Sequence, residues 1–188
     1  MPEFLVRPQR QDDIDALAEV HVRSWQAGYQ GLMPADFLAA QDPAWRARQR
    51  RESWGRPDFA HVRGLVAEEV ATGSVVGFAN FGPGRAGDKR GWSAGDLATD
   101  SEGELYALYV HPDHWGRGAG GLLLDAALDG LRDAGLTPIR IWVLDGNTRA
   151  LSAYRTRGFA PDGAKQLISL GQHDKIDLPE VRLSQLDA

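Results

Sequence analysis

Residues 104 to 144 constrain the fold of this chain more than any other stretch. Glu104–Val110 is rich in Leu, Tyr and Val and reads as a strand. Gly118–Ala134 carries Leu124, Leu128 and Leu131 on one helical face and is stopped by Gly135. Ile139–Leu144 is a strand again. Two strands joined through a helix of this size imply a parallel pair with a crossover. Around this unit the pattern changes. Phe4–Arg7 is a short strand, and Asp12 or Asp13 can cap a helix in which Ile14, Leu17, Ala18, His21 and Trp25 recur, ended by Gly28 and Gly31. Pro34 opens a short helix through Phe37 and Leu38, and Pro43 a third one with Trp45 and Trp54. His61–Ala67 and Ser74–Phe81 form a hairpin across Ala71-Thr72-Gly73. Gly82 to Gly103 is glycine-rich, has no periodicity and reads as a long loop. A helix over Asn147–Arg157, stopped by Gly158, leads to two closing strands, Gln166–Leu170 and Glu180–Leu183.

No repeat and no linker divides the chain. With 188 residues, it can bury about 70% of its unfolded surface without disulfides or a structural metal. The expectation is one α/β (α+β) domain over residues 1–188. Its twisted mixed sheet should have about six to seven strands, mostly antiparallel with one parallel βαβ crossover, flanked by about four to five helices.

The crossover begins with a dense glycine turn, His111-Pro112-Asp113-His114-Trp115-Gly116-Arg117-Gly118-Ala119-Gly120-Gly121. Gly116, Gly118, Gly120 and Gly121 leave backbone N–H groups uncovered, and the helix start adds free donors and a partial positive charge. Such a place binds phosphate or pyrophosphate; the bland alternative is a turn that only lets helix and strand pack closely. No Gly-Lys-Ser/Thr is present, so this is not a Walker loop. Gly116, Gly118 and Gly121 do match Gly-x-Gly-x-x-Gly, with Asp145 placed as a ribose-binding acid. Against a dinucleotide stand three features. Five residues separate the strand from the first glycine, only about 40 residues follow Asp145, and a hairpin precedes the unit.

In the following helix Asn147, Ala150 and Tyr154 share one face. Asn147 offers an amide and Tyr154 a phenol able to give a proton to a leaving anion. Alternatively, Asn147 caps the helix and Tyr154 fills the core.

Taken together, these segments resemble the GNAT superfamily of acetyl-CoA-dependent N-acetyltransferases, most closely from Glu104 to Phe159. The superfamily's pyrophosphate motif, Gln/Arg-x-x-Gly-x-Gly/Ala, falls on Trp115-Gly116-Arg117-Gly118-Ala119-Gly120, with Trp115 departing from the usual first residue. A second motif, Asn-x-x-Ala-x-x-x-Tyr-x-x-x-Gly-Phe, is met in full by Asn147, Ala150, Tyr154, Gly158 and Phe159. The resemblance implies acetyl-CoA as co-substrate, no metal, and direct attack by a primary amine in a ternary complex. It implies cofactor contacts from Leu108, Tyr109 and Val110, from Trp115, Gly116, Arg117, Gly118, Ala119, Gly120 and Gly121, and from Asn147, Ala150 and Tyr154. It makes Tyr154 the acid for the departing thiolate. Glu104, eleven residues before Trp115, takes the place of a base glutamate. His21, Trp25, Tyr29 and Tyr106 are then expected beside the acceptor, although His21 and Trp25 equally suit a helix core. Trp25, Tyr29, Met33 and Phe37 read either as an aromatic wall for the acceptor or as helix packing. The acceptor is a small-molecule or protein amine, and the resemblance allows a homodimer.

Composition narrows the classes further. The absence of cysteine excludes disulfides, thiolate metal sites and a cysteine nucleophile. A net charge of −5 leaves no overall footprint for nucleic acid. No apolar run approaches a membrane span or a signal peptide, so the default is a soluble cytoplasmic protein. His111 and His114 with Asp113 are too few and too local for a metal site. Arg46, Arg48, Arg50 and Arg51 form a basic cluster in an acidic chain: a solvated helix face, or a site that attracts an acidic acceptor or the cofactor phosphates. Two other functions stay open, a dinucleotide-dependent oxidoreductase and a non-catalytic acyl-CoA-binding sensor.

Overall fold

The structure, a computed structural model, describes residues 2–85, 101–170 and 175–185. Seven strands, β1 (Phe4–Pro8), β2 (Arg63–Glu69), β3 (Val75–Pro83), β4 (Gly103–Val110), β5 (Ile139–Leu144), β6 (Ala160–Leu170) and β7 (Ile176–Gln185), form one sheet in the order β1-β2-β3-β4-β5-β7-β6. All neighbours are antiparallel except β4 and β5, which run parallel across the crossover helix. Five α-helices accompany the sheet: α1 (Ile14–Gly28), α2 (Ala35–Ala39), α3 (Pro43–Ser53), α4 (Ala119–Asp133) and α5 (Thr148–Arg155). None of them is long and apolar enough to cross a membrane.

Helices cover the sheet from both sides. Leu123, Leu124, Ala127, Leu128 and Leu131 of α4 pack on Phe81, Leu105, Ile139, Ile141 and Val143. Gly77 admits α4 to β3, because a Cβ there would stand only 3.0 Å from both Leu123 Cδ1 and the Tyr109 carbonyl. Leu17 and Val20 of α1 pack on Val66 and Phe78. The start of α1 is fixed to the sheet by an ion cluster. Arg7 donates twice to Asp13, both at 2.8 Å, and once to Glu68 at 2.7 Å. The guanidinium beside it holds the Asp13 carboxyl below the usual carboxylate range, and the Arg10 N–H adds to this.

One irregularity decides where the site lies. In the β3–β4 ladder, Asn80 pairs with Ala107 but Phe81 with Leu105, so Tyr106 is an extra residue on β4. Such a bulge bends its strand and increases the twist. The parallel ladder to β5 consists of Gly103, Glu104 and Leu105 against Ile139, Arg140 and Ile141, and goes no further. Beyond it β4 stays with β3 as far as Val110 and β5 stays with β7 as far as Leu144, so the two parallel strands part.

β6 and β7 are longer than the closing strands expected from sequence. Pro161, Asp162 and Gly163, residue types common in turns, lie within β6, where the register shifts between Pro161 and Lys165 and Gly163 takes φ +90°. Of the expected 82–103 loop, Gly82 and Pro83 belong to β3 and Gly103 to β4, while 86–100 lie outside the described residues.

Candidate active site

Where β4 and β5 part, a cavity of about 1040 Å³ opens, bordered by Leu105–Val110 on one strand and Ile141–Leu144 on the other. Ligands of sheets with parallel strands settle at the carboxyl ends of those strands, and this cavity lies there. The edge of β4 that faces β5 is without a strand partner after Leu105, so its backbone groups are open to a ligand.

At one end of the cavity stands the start of α4. Gly116 (φ +76°) and Gly118 (φ +98°) hold left-handed conformations that side-chain-bearing residues rarely adopt. Gly118 is the N-cap and has no capping side chain. The first helical bond runs from the Leu122 N–H to the Gly118 carbonyl, at 3.1 Å, so the N–H groups of Ala119, Gly120 and Gly121 precede it, and those of Gly120 and Gly121, which border the cavity, are free for an anion. Trp115 is tied back to β4 by its indole N–H, which donates to the Val110 carbonyl at 2.7 Å. Its ring carries the Arg149 guanidinium at 3.5 Å from the centroid. Arg149 was not legible as a site residue; it puts a cation beside the position where the motif usually has Gln or Arg. Arg117 turns the other way, donating to Glu3 and Glu69, and neither it nor Ala119 borders the cavity. All the other residues expected against the cofactor do border it.

Asn147 serves as a cap as well: its Oδ1 accepts from the Ala150 N–H at 3.1 Å, and the amide still borders the cavity with Ala150. Tyr154, one turn on, is 8% exposed, and its hydroxyl forms no hydrogen bond with another described residue. Burial, reinforced by Tyr109, pushes its phenol well above the usual tyrosine range.

The opposite wall comes from α1, α2 and α3. His21 lies between the rings of Trp25 (4.8 Å) and Tyr109 (4.9 Å, stacked), and Trp25, Tyr29, Met33 and Phe37 continue the wall. The aromatic residues thus pack together and border the cavity at once. Burial, then the charges of Arg46 and Arg50, holds the His21 imidazole well below its ordinary pKa, so it is neutral. Burial pushes the Tyr29 and Tyr109 phenols up.

Glu104 is buried, 2% exposed, and its carboxylate is occupied. It accepts from the Arg85 backbone N–H and from Arg85 Nε, both at 2.9 Å, and pairs with the end of the same guanidinium. Glu104 does not border the cavity, whereas Arg85 and Tyr106 do. Tyr106 donates its hydroxyl to the Pro83 carbonyl and lies 5.1 Å under the Arg85 guanidinium. Two acidic residues do border the cavity, Asp42, whose carboxylate caps α3 by accepting from the Ala44 and Trp45 N–H groups, and Glu180 on β7. Glu180 accepts from Gln166 Nε2 at 2.7 Å across the β6–β7 ladder. Burial raises its carboxyl above the usual range, Gln166 and Arg85 oppose this, and Glu104 adds to it. In the sequence Glu180 and Gln166 read only as strand residues. The available signal was spacing: Glu180 shares the face of buried Leu178, an unusual phase for a carboxylate. Among the described residues no group of three metal-ligating side chains occurs. Asp145, the ribose-binding acid of a dinucleotide site, is exposed and does not border the cavity.

A mixed sheet that splits its one parallel pair beside a glycine-rich helix start defines a class of α/β ligand-binding domain. The chain belongs to the Acetyltransferase (GNAT) family, whose model matches residues 16–159. It is 29% identical over 164 residues to an uncharacterized N-acetyltransferase, YuaI, of Bacillus subtilis, covering 84% of this chain and 82% of that one. It is 30% identical over 153 residues to the mycothiol acetyltransferase of Propionibacterium freudenreichii, a match over 80% of this chain and 41% of that protein. Among solved structures, the fold is similar to that of PaiA N-acetyltransferase from Thermoplasma acidophilum in complex with coenzyme A. That match has a TM-score of 0.62 at 19% identity and covers 94% of this chain and 97% of the other.

Proposed function

We propose that this protein transfers the acetyl group of acetyl-CoA to a primary amine by direct attack in a ternary complex. The observation that carries this reading is the parting of β4 from β5 next to the open N–H groups of α4. The N–H groups of Gly120 and Gly121 take the pyrophosphate, with Arg149 beside them. The thioester lies along the open edge of β4, where a backbone N–H of Leu108, Tyr109 or Val110 polarises its carbonyl. Bound CoA in a structural neighbour and the acetyltransferase names of the relatives support this cofactor.

The chemistry follows from the side chains. An amine is mostly protonated at neutral pH and must lose a proton to attack. That proton passes to the Glu180 carboxylate at the cavity, while Glu104 behind it holds Arg85 in position. The nitrogen lone pair adds to the thioester carbon, and the tetrahedral oxyanion rests on the β4 N–H. The C–S bond then breaks and the thiolate is met by Tyr154. With its pKa raised, the Tyr154 phenol stays protonated across the working range. It acts as a donor to the developing thiolate, and the proton finally taken up by CoA balances the one lost by the amine. A cytoplasmic location suits a cofactor of this kind.

Acetyl-CoA is therefore expected to stabilise the native state without added metal. At about 100 times its Kd, the gain of about 2.7 kcal/mol raises Tm by about 5–10 °C. NAD at the same concentration is expected to leave Tm unchanged. Differential scanning fluorimetry decides it; a shift with NAD and none with acetyl-CoA turns the assignment to the dinucleotide alternative.

A further inference from the structure

Among the described residues seven arginines are half-buried, and five of them have a carboxylate partner. Arg7 pairs with Asp13, Arg85 with Glu104, Arg140 with Glu102, Arg157 with Asp125 and Arg182 with Asp162. The other two, Arg46 and Arg50 on α3, have none. Their neighbours on the same helix behave as a surface cluster should: Arg48 is exposed, and Arg51 pairs with Asp15 at 2.6 Å.

Arg46 borders the acceptor side of the cavity. One NH₂ donates to Gln41 Oε1 at 3.0 Å, and the guanidinium lies 4.9 Å from the Trp25 ring and 5.2 Å from that of Trp45. Its Nε–H is buried with no acceptor. Arg50 stands behind it, 4.6 Å over the Phe78 ring, with NH₂ 3.5 Å from His21 Nδ1. A guanidinium only donates, so Nδ1 is the bare nitrogen of the neutral imidazole and the hydrogen sits on Nε2. That Nε2–H is also buried with no acceptor, and His21 borders the same cavity. The Trp25 Nε1–H on the same wall is likewise buried with no acceptor, so one wall holds three unanswered donors and two positive charges without a carboxylate partner. Burial lowers the pKa of both arginines, that of Arg50 to about 10, which reflects this lack of a counter-charge. A desolvated guanidinium without an anion is destabilising, and carboxylate is the partner its planar fork fits. Of the two acids at the cavity, Asp42 is engaged as the N-cap of α3, accepting from the Ala44 and Trp45 N–H groups and forming no ion pair with Arg46, and Glu180 belongs to β7 on the far wall.

We propose that the acceptor is a small-molecule amine that also carries an anionic group, a carboxylate or an oxyanion of like charge. Arg46 and His21 Nε2 hold the anion, and the ammonium faces Glu180. This rests on the acetyltransferase reading above and narrows its substrate class. Direct binding and turnover together separate the two.

The probes are ω-amino acids and α-amino acids with one to four carbons between nitrogen and carboxylate, each with its own carboxamide, plus the sulfonate and phosphonate of matching length. For the best acid, kcat/KM is expected to exceed that of its amide at least tenfold, the size of a charge-assisted hydrogen bond. In Arg46→Met, which keeps the stem, the acid-to-amide ratio is expected to fall to within about threefold of one. Arg46→Lys should be intermediate. Circular dichroism and acetyl-CoA affinity establish that the variants fold. A merely structural role for Arg46 lowers acid and amide alike and leaves the ratio unchanged, which overturns the proposal. So does a wild-type ratio near one. The same pairs are titrated calorimetrically into the CoA complex. Acid-selective binding that is lost in Arg46→Met, with no turnover of any amine, upholds the anion site and refutes the transferase. Turnover without acid selectivity does the reverse.

Discussion

Tyr154→Phe is expected to lower kcat by about 10²–10⁴-fold, with a much smaller change in the Kd of acetyl-CoA. The ring remains, so the packing of Tyr154 against Phe159, 6.1 Å between centroids, is kept. Only the donor to the departing thiolate is removed. The environment makes the sign of the pH dependence definite. Burial raises the phenol pKa, so loss of the donor form comes only above the ordinary tyrosine range near 10. The wild-type rate should therefore show no alkaline fall attributable to this group below that value. Pre-steady-state kinetics checks that chemistry is the step observed. If it is, and Tyr154→Phe turns over at the wild-type rate, the acid role is wrong.

Glu180→Gln is expected to lower kcat/KM by about 10²-fold or more near neutral pH, with the defect shrinking toward the pKa of the acceptor amine. The amide keeps the shape and cannot take a proton. As rising pH deprotonates the amine itself, the base ceases to matter. Glu104→Gln frees Arg85 from its buried ion pair and should give a loss that varies little with pH, because it disturbs position. Stability provides a control. The folded pKa of Glu180 is raised, so its contribution to stability is present below the usual carboxylate range and lost as pH rises through the raised value. Glu180→Gln should thus be no less stable than wild type at neutral pH. A defect that shrinks with pH in Glu104→Gln and not in Glu180→Gln would assign the base to Glu104, acting through water.

The crossover was legible because its signals are local. The β5 strand, the glycine turn and the Asn147 helix each carry their own periodicity and stops, and the expected bounds of β5 coincide with those observed. The parting of β4 from β5 was not legible. It depends on Tyr106 being extra in the register with β3, and register is a property of two strands. The first half of β6 was hidden for a similar reason: Pro161, Asp162 and Gly163 have turn chemistry, and β7 overrides it. In the site, Asn147 and Tyr154 stood out by their spacing. Arg46 and Arg50 did not, because arginines at four positions of one short helix look like a solvated face until Trp25 and Phe78 are found beneath two of them. Glu104 matched a motif position, but the partner that occupies its oxygens, Arg85, is nineteen residues away and not predictable from spacing.

The central claim is acetyl transfer to an amine, and its most direct test is a panel assay. Purified protein is mixed with acetyl-CoA and one amine at a time, free CoA thiol is followed, and the acceptor is examined by mass spectrometry. The panel spans amino acids, their amides, polyamines, peptide N-termini and lysine peptides. The account predicts CoA release that depends on the amine, in equal amount with an N-acetylated product. Acetyl-CoA that binds tightly but releases CoA no faster with any amine than without one would contradict it, and would leave a sensor of acyl-CoA in place of an enzyme.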